Sequence, residues 1–434
     1  MILFWFRRDL RLHDNTGFYH ALKTGSAVLP LFIFDTGILH NLEDRRDARV
    51  SFIHQTLQDL HRQLEKQGST LLVKHGKPED VLAQLLEEYQ VEAVYTNHDY
   101  EPYARHRDSH IGRLLQKKQV RFHTFKDQVI FEKEEILTQS GSPYKVYTPY
   151  KNSWLKHFDS AQAASLPSHT LLSQLQPHAT THFPTIQELG FEKSNIEVPM
   201  QEVSVETLQA YHNTRNLPAL DATSRLSVLL RFGTFSIRQA VNMAREHNPV
   251  WLQELIWREF FMQLLYHFPE SVEESFHPKF RNIAWRNNEE EFEKWCTGTT
   301  GFPLVDAGMR ELNQTGFMHN RVRMVLASFL VKDLLVDWRW GEAYFASKLL
   351  DYEQSSNVGN WQWAAGTGAD AQPYFRIFNP DNQVKKFDKE YAYIKRWVPE
   401  FQTTAYPAPM LDHSKARDRA ISAFKKSIES FTTG

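Results

Sequence analysis

The sequence predicts an α/β plus all-α protein: a doubly wound, Rossmann-like parallel sheet over 1–130, a linker over 131–200, and a helical region over 201–434. Three observations predict it. Five short β-rich runs, ILFWF (2–6), VLPLFIF (28–34), TLLVK (70–74), AVYTN (93–97) and RFHTF (121–125), alternate with helical patterns at 47–66, 79–89 and 103–117. Strands alternating with helices imply βαβ units and a parallel sheet covered on both faces. The stretch SLPSHTLLSQLQPHATTHFPT then has the Ser, Thr, Pro, His and Gln content of a connection. Beyond 200, apolar residues recur at helical spacing over 236–246, 249–267, 320–337 and 341–350, without strand alternation.

Composition bounds the function classes. The 434 residues, 41% hydrophobic and 24% charged, suit a soluble globular chain of two or three domains. No apolar run approaches the 18 or so residues of a membrane span, and the N-terminus MILFWFRRDL is ordered wrongly for a signal peptide. Cys296 is the single cysteine, which excludes an internal disulfide and a cysteine zinc site and suits a reducing, cytoplasmic setting. A net charge of −2 neither supports nor excludes nucleic acid, so any DNA-binding face must come from clustering. Neither GxGxxG nor GxxxxGK[ST] follows the first strand, so no standard dinucleotide or P-loop site is indicated.

Chemistry concentrates in the helical region. NVGNWQWAAGTGADAQPYFRIFNP (357–380) is too glycine-rich for an ordinary helix and too aromatic for an ordinary loop. Trp361 and Trp363 point to opposite sides of an extended turn, or lie about 200° apart on a helix, so something flat and aromatic is expected here. In LLDYEQSSN, Asp351 and Glu353 precede Asn357, with no histidine spaced to complete a metal site, so no metal is expected. In WLQELIWREFF, Trp251, Glu254 and Arg258 fall at i, i+3 and i+7 beside Trp257; a carboxylate and a guanidinium on an aromatic stripe must pair or meet a ligand. HNRVRM puts Asn320, Arg321 and Arg323 at the start of a long apolar helix, where the dipole favours anions, with Met324 next. TSRLS supplies Thr223, Ser224, Arg225, Leu226 and Ser227, suited to a diphosphate or to capping a helix.

Together with FWFRRDLRLHDN, SFLVKDLLVDWR and RWVPE, these motifs stand in the order seen in the photolyase/cryptochrome family, which the whole chain resembles. The resemblance implies an N-terminal antenna domain and a helical domain holding FAD, active as FADH⁻, at the base of a cavity open to DNA. It assigns Thr223–Ser227, with Tyr211 and Trp251, to the flavin diphosphate and ribityl chain. Arg323 and Asp351 become the ion pair against the ring, Asn357 the neighbour of N5, and Arg258, Asn320 and Glu353 further cofactor contacts. Glu254, Trp257, Asn320, Met324 and Trp363 match the lesion pocket; Arg215, Arg258, Arg321 and Lys395 the phosphate contacts. Trp361, Trp338 and Trp285 match the chain that photoreduces the flavin.

Within the family, the Met ending NRVRM and Asn357 resemble class I photolyases that repair cyclobutane pyrimidine dimers in double-stranded DNA. The implied reaction is light-driven dimer splitting on a flipped-out lesion, the base flipping that the handled chemistry of photolyases requires. The implied enzyme is a monomer without an obligate protein or membrane partner. The alternatives are a cryptochrome-type blue-light photoreceptor, a (6-4) or single-strand-specific photolyase, or a flavin-free nucleotide-binding module. Glu353 departs from the family's common Asp. Tyr103 and Ala104 stand where folate-binding members carry Asn and Glu, leaving folate, deazaflavin, flavin or an empty antenna site open.

Overall fold

A computed structural model describes residues 1–198 and 203–433. They form two compact units: Met1–Ile136 with Trp154–Met200 and Arg225–Glu246, and Leu137–Ser153 with Gln201–Ser224 and His247–Gly434.

The first unit is built on strands β1 (Ile2–Phe6), β2 (Val28–Asp35), β3 (Leu72–Gly76), β4 (Ala93–Asn97) and β5 (Arg121–Phe125). All are parallel, in the order β3-β2-β1-β4-β5. Ile2 aligns with Val28 on one side and Ala93 on the other. Every residue of β1 and β2 is buried, as strands covered on both faces require. The helices of this unit include Ala48–Glu65, Pro78–Glu88 and Pro102–Lys117, each within a residue of expectation, and Thr16–Lys23, which was not expected. β3 starts two residues later than expected; the Leu71 amide is taken by His61 Nδ1 (3.4 Å) and not by a ladder.

Beyond the carboxyl ends of β1 and β4, where the strand order reverses, charged pairs fill the crevice. Arg7 grips Asp108 through both oxygens (2.6 and 2.7 Å), and Arg8 meets Asp99 (3.1 Å) and Glu101 (2.9 Å). Tyr103 donates to Asp35 (2.9 Å), and Ala104 is buried. The polar stretch after 160 lies against this unit, with the Gln176 amide donating to the Val28 carbonyl (2.8 Å). Arg238 joins the unit through buried pairs with Asp14 (2.8 Å) and Asp127 (2.9 Å).

The second unit is helical, around a core that includes Trp295, Leu304, Val325, Phe329, Trp338 and Trp361. Cys296 lies in that core, as a small apolar residue would. Two expectations are corrected. The helix expected over 320–337 ends at Ser328 and continues as a π-helical turn, Phe329–Asp333, with Leu335 at φ 52°. There Lys332 is fully buried, donating to the Ala365 carbonyl (2.5 Å), and Asp333 meets His413 (2.5 Å); a straight helix would not aim both side chains inward. Second, Gln354–Ala365 is a regular α-helix despite its glycine. Gly359 sits where a Cβ would lie 2.2 Å from the Phe261 ring, so the glycine permits close packing against helix Pro249–His267.

Candidate functional site

Residues of three helices and one connection line a pocket partly open to solvent. Helix Asn320–Ser328, capped by His319, contributes Asn320, Arg323 and Met324; helix Trp338–Lys348 contributes Phe345; helix Gln354–Ala365 contributes Asn357, Trp361 and Trp363. The connection adds Asp351, Tyr352 and Glu353.

Arg323 and Asp351 form a two-point ion pair, Nη1–Oδ1 3.1 Å and Nη2–Oδ2 3.0 Å, and Arg323 Nε also donates to the Met318 carbonyl (2.8 Å). The pair fixes a planar row of donors and acceptors on the pocket wall. Asn357 donates to both the carbonyl (3.0 Å) and the carboxylate (2.9 Å) of Glu342. That orientation leaves its amide oxygen as the group it can present to a ligand. Burial pushes the Glu342 carboxyl up, against the hydrogen bonds of Asn357 and Tyr352.

Two charged groups of helix Pro249–His267 reach partners on other elements. Arg258 meets Glu353 (2.9 Å), which also accepts from Ser356 (3.0 Å). Glu353 thus ties the connection to an arginine of helix Pro249–His267. Glu254 meets Arg215 (2.7 Å), and burial raises the Glu254 carboxyl despite that guanidinium. Arg215 also lies over the Tyr211 ring at 5.3 Å, and Trp251 is buried on the same helix as Glu254. Trp257 is half-buried and stacks on Tyr147, with centroids 3.6 Å and planes 8° apart.

Trp361 and Trp363, two positions apart on a true helix, take different surroundings. Trp361 is 2% exposed and packs edge-on against Trp295 (6.1 Å) and Phe345 (4.9 Å), whereas Trp363 stays half-buried. Trp338 is buried at the start of its helix, and half-buried Trp285 meets the edge of Phe424 (5.9 Å).

On the basic side, Arg321 donates to Asn216 (2.7 Å) and lies over Phe387 at 4.6 Å. Burial and the nearby charges of Arg215 and Arg376 lower its pKa, so three guanidiniums repel one another there. Lys395 is exposed, with a long contact to the Glu390 carbonyl (3.4 Å). Thr223 and Ser224 are half-buried in an irregular segment of the second unit. Arg225 (φ 48°), Leu226 and Ser227 fall in the first unit, where Ser227 starts a six-residue helix that has no side-chain cap. The N-cap position of that helix is thus held by Leu226 and not by a hydroxyl residue.

Sequence reasoning missed Glu342, Tyr147, Trp295 and Arg376. Arg376 stood in the quoted PYFRIFNP, beside the exposed Phe375, and that juxtaposition was a usable signal. The others gave none, because their partners are distant in sequence. Among the described residues no three His, Cys, Asp or Glu side chains are arranged to hold a metal, and no helix is long and apolar enough to cross a membrane.

A parallel α/β unit in one chain with a helical unit that encloses a planar, ion-paired, tryptophan-lined pocket defines a flavoprotein of the photolyase class. The chain belongs to the DNA photolyase family: residues 2–169 match the DNA photolyase model and residues 251–405 the FAD binding domain of DNA photolyase. It is 37% identical to a deoxyribodipyrimidine photo-lyase of Synechococcus over 95% of this chain and 94% of that one, and 36% identical to one of Escherichia coli over 98% of each. Among solved structures, a class III photolyase of Agrobacterium tumefaciens (TM-score 0.88, 33% identity, 99% of this chain and 98% of that one) is similar. So are a Sulfolobus tokodaii photolyase with two FAD molecules (0.85, 35%, 98% and 99%) and a Synechocystis cryptochrome (0.86, 26%, 98% and 99%).

Proposed function

We propose that this protein repairs cyclobutane pyrimidine dimers in double-stranded DNA, driven by light. The observation that carries the reading is the pocket wall in which the Arg323–Asp351 pair and the Glu342-oriented Asn357 stand beside Trp361 and Trp363. Its donor set fits a flavin: a guanidinium and a carboxylate held coplanar, a fixed amide, and apolar Met324 and Phe345. FAD, when bound in its reduced form, supplies the photoexcited electron that opens the cyclobutane ring. The Arg323–Asp351 pair holds the ring edge, Asn357 presents its amide oxygen to the ring, and Thr223, Ser224, Tyr211 and Trp251 support the remainder of the cofactor. Trp361, followed by Trp338 and Trp285, would supply the electron that reduces the bound cofactor.

Glu254 hydrogen-bonds the flipped pyrimidine, and its raised carboxyl suits it to donate to a carbonyl. Trp257, Trp363, Asn320 and Met324 enclose the lesion, while Arg321 and Lys395, with Arg376, hold phosphates. The lone buried Cys296 supports a cytoplasmic setting.

The test is a duplex with one thymine dimer, incubated with reduced enzyme in blue light and in darkness. Repair in light alone supports the reading; dark repair sinks it, and no repair in light sinks it in favour of the photoreceptor alternative. For the antenna we propose a second flavin, since the Sulfolobus relative holds two FAD molecules and Tyr103 and Ala104 depart from the folate pattern. Extraction of about one flavin per chain with no other chromophore would exclude it.

A further inference from the structure

We infer that Tyr147 is the positioning residue for Trp257 and thereby sets how tightly a flipped pyrimidine pair is held; the inference rests on the reading of Trp257 as a lesion contact. The two rings lie face to face, centroids 3.6 Å and planes 8° apart. No solvent fits between rings so placed, and Phe261 lies against the indole as well, centroids 5.5 Å and planes 29° apart, so Trp257 keeps only part of its surface exposed. Tyr147 itself is buried, at 5% exposure.

The tyrosine is held at both ends. Its hydroxyl donates to the Gln253 carbonyl (2.9 Å), one turn before Trp257 on the same helix, and its amide donates to Asp370 (3.1 Å) in the loop after helix Gln354–Ala365. Phe260 closes the pair edge-on, 5.9 Å from Tyr147 and 5.6 Å from Trp257. Tyr147 therefore spans the turn that carries Trp257 and leaves the indole one orientation. A flat apolar ligand can stack on a fixed indole without the cost of ordering it. Removing the tyrosine opens a slot behind the indole, into which it tilts away from the ligand. Neither Tyr147 nor Trp257 is among the residues lining the pocket of the Arg323–Asp351 pair, so the loss of Tyr147 acts on lesion binding and not on the electron transfer that follows.

The test uses flavin-loaded enzyme in darkness, with a duplex containing one thymine dimer and the same duplex undamaged. Tyr147→Ala is expected to weaken dimer binding about five- to tenfold, leaving the undamaged duplex within about twofold. Dimers repaired per photon at saturation stay unchanged. Tyr147→Phe keeps the stack and leaves the Gln253 carbonyl its helical partner, so it restores wild-type affinity. Equal loss on both duplexes, no loss in Tyr147→Ala, or a loss in Tyr147→Phe as large as in Tyr147→Ala overturns the inference. Tyr147→Leu serves if the alanine variant does not fold, since it fills the slot without a planar face and carries the same expectation. Trp257→Ala separates the two readings. If it leaves dimer binding intact, the lesion role of Trp257 falls; if it weakens binding while Tyr147→Ala does not, only the role of Tyr147 falls.

Discussion

At the scale of single residues, the most consequential feature is a carboxylate that cannot stand alone. Asp351 has a side chain only 6% exposed, and Arg323 is the cation that compensates it. Removing one partner of a buried pair leaves an uncompensated charge, at a cost of about 3–5 kcal/mol. Arg323→Met should therefore melt well below the wild type and purify with less than one flavin per chain. Adding Asp351→Asn should recover the melting temperature but not the flavin; recovery of both would deny the pair a role in holding the cofactor. Glu254 gives a second residue-scale prediction. Its carboxyl is raised by burial more than Arg215 lowers it, so ionisation is disfavoured in the folded state. A raised acid contributes stability below its unfolded pKa, about 4.3, and that contribution is lost as pH rises through the folded value. Glu254→Gln should therefore melt at or above the wild-type temperature at pH 7, an advantage that vanishes below pH 4; thermal melts across that range decide it. The residues of the site were legible where partners sit in motifs of known order, as with Arg323 and Asp351. The Arg258–Glu353 contact was not, because no spacing rule connects residues on two separate helices.

At the scale of elements, legibility followed burial. β1 and β2 could be read because runs covered on both faces must be apolar throughout, whereas β5, which has no buried residue, was legible only from its alternation with helices. Helix Gln354–Ala365 was misjudged because glycine lowers helix propensity by about 1 kcal/mol, and tertiary packing overrode that preference. Its packing makes the next prediction. An added methyl at Gly359 would meet Phe261 Cδ1 at 2.2 Å, a contact that the helix or the ring must yield to. Overpacking of this kind costs about 1–3 kcal/mol. Gly359→Ala should lower the melting temperature despite its better helix propensity, and Phe261→Leu in the same chain should relieve part of the loss. If Gly359→Ala is instead stabilising, the close approach of the two helices is not what demands the glycine.

At the scale of the whole molecule, a net charge of −2 concealed the feature that matters for DNA. Composition averages over the chain, whereas Arg321, Arg376 and Arg215 are brought close enough to lower the pKa of Arg321. The same averaging hid the placement of Arg225–Glu246 in the first unit, which depends on Arg238 reaching Asp14 and Asp127 across more than a hundred positions of sequence. Like charges gathered without enough acids are unfavourable in the free protein, and a phosphate relieves them. Each phosphate contact releases condensed counterions, so the logarithm of affinity falls with the logarithm of salt by about 0.9 per contact on duplex DNA. Arg376→Gln and Lys395→Gln should each reduce that slope by roughly one. Both should weaken damaged and undamaged duplexes to the same extent, because phosphates carry no lesion information. Arg215 should behave differently. Its guanidinium is committed to Glu254 at 2.7 Å, so Arg215→Gln should spare most of the slope while changing the preference for the dimer through the freed carboxylate. Titrations of both duplexes at four salt concentrations distinguish these outcomes, and a full unit of slope lost in Arg215→Gln would return that residue to the phosphate contacts.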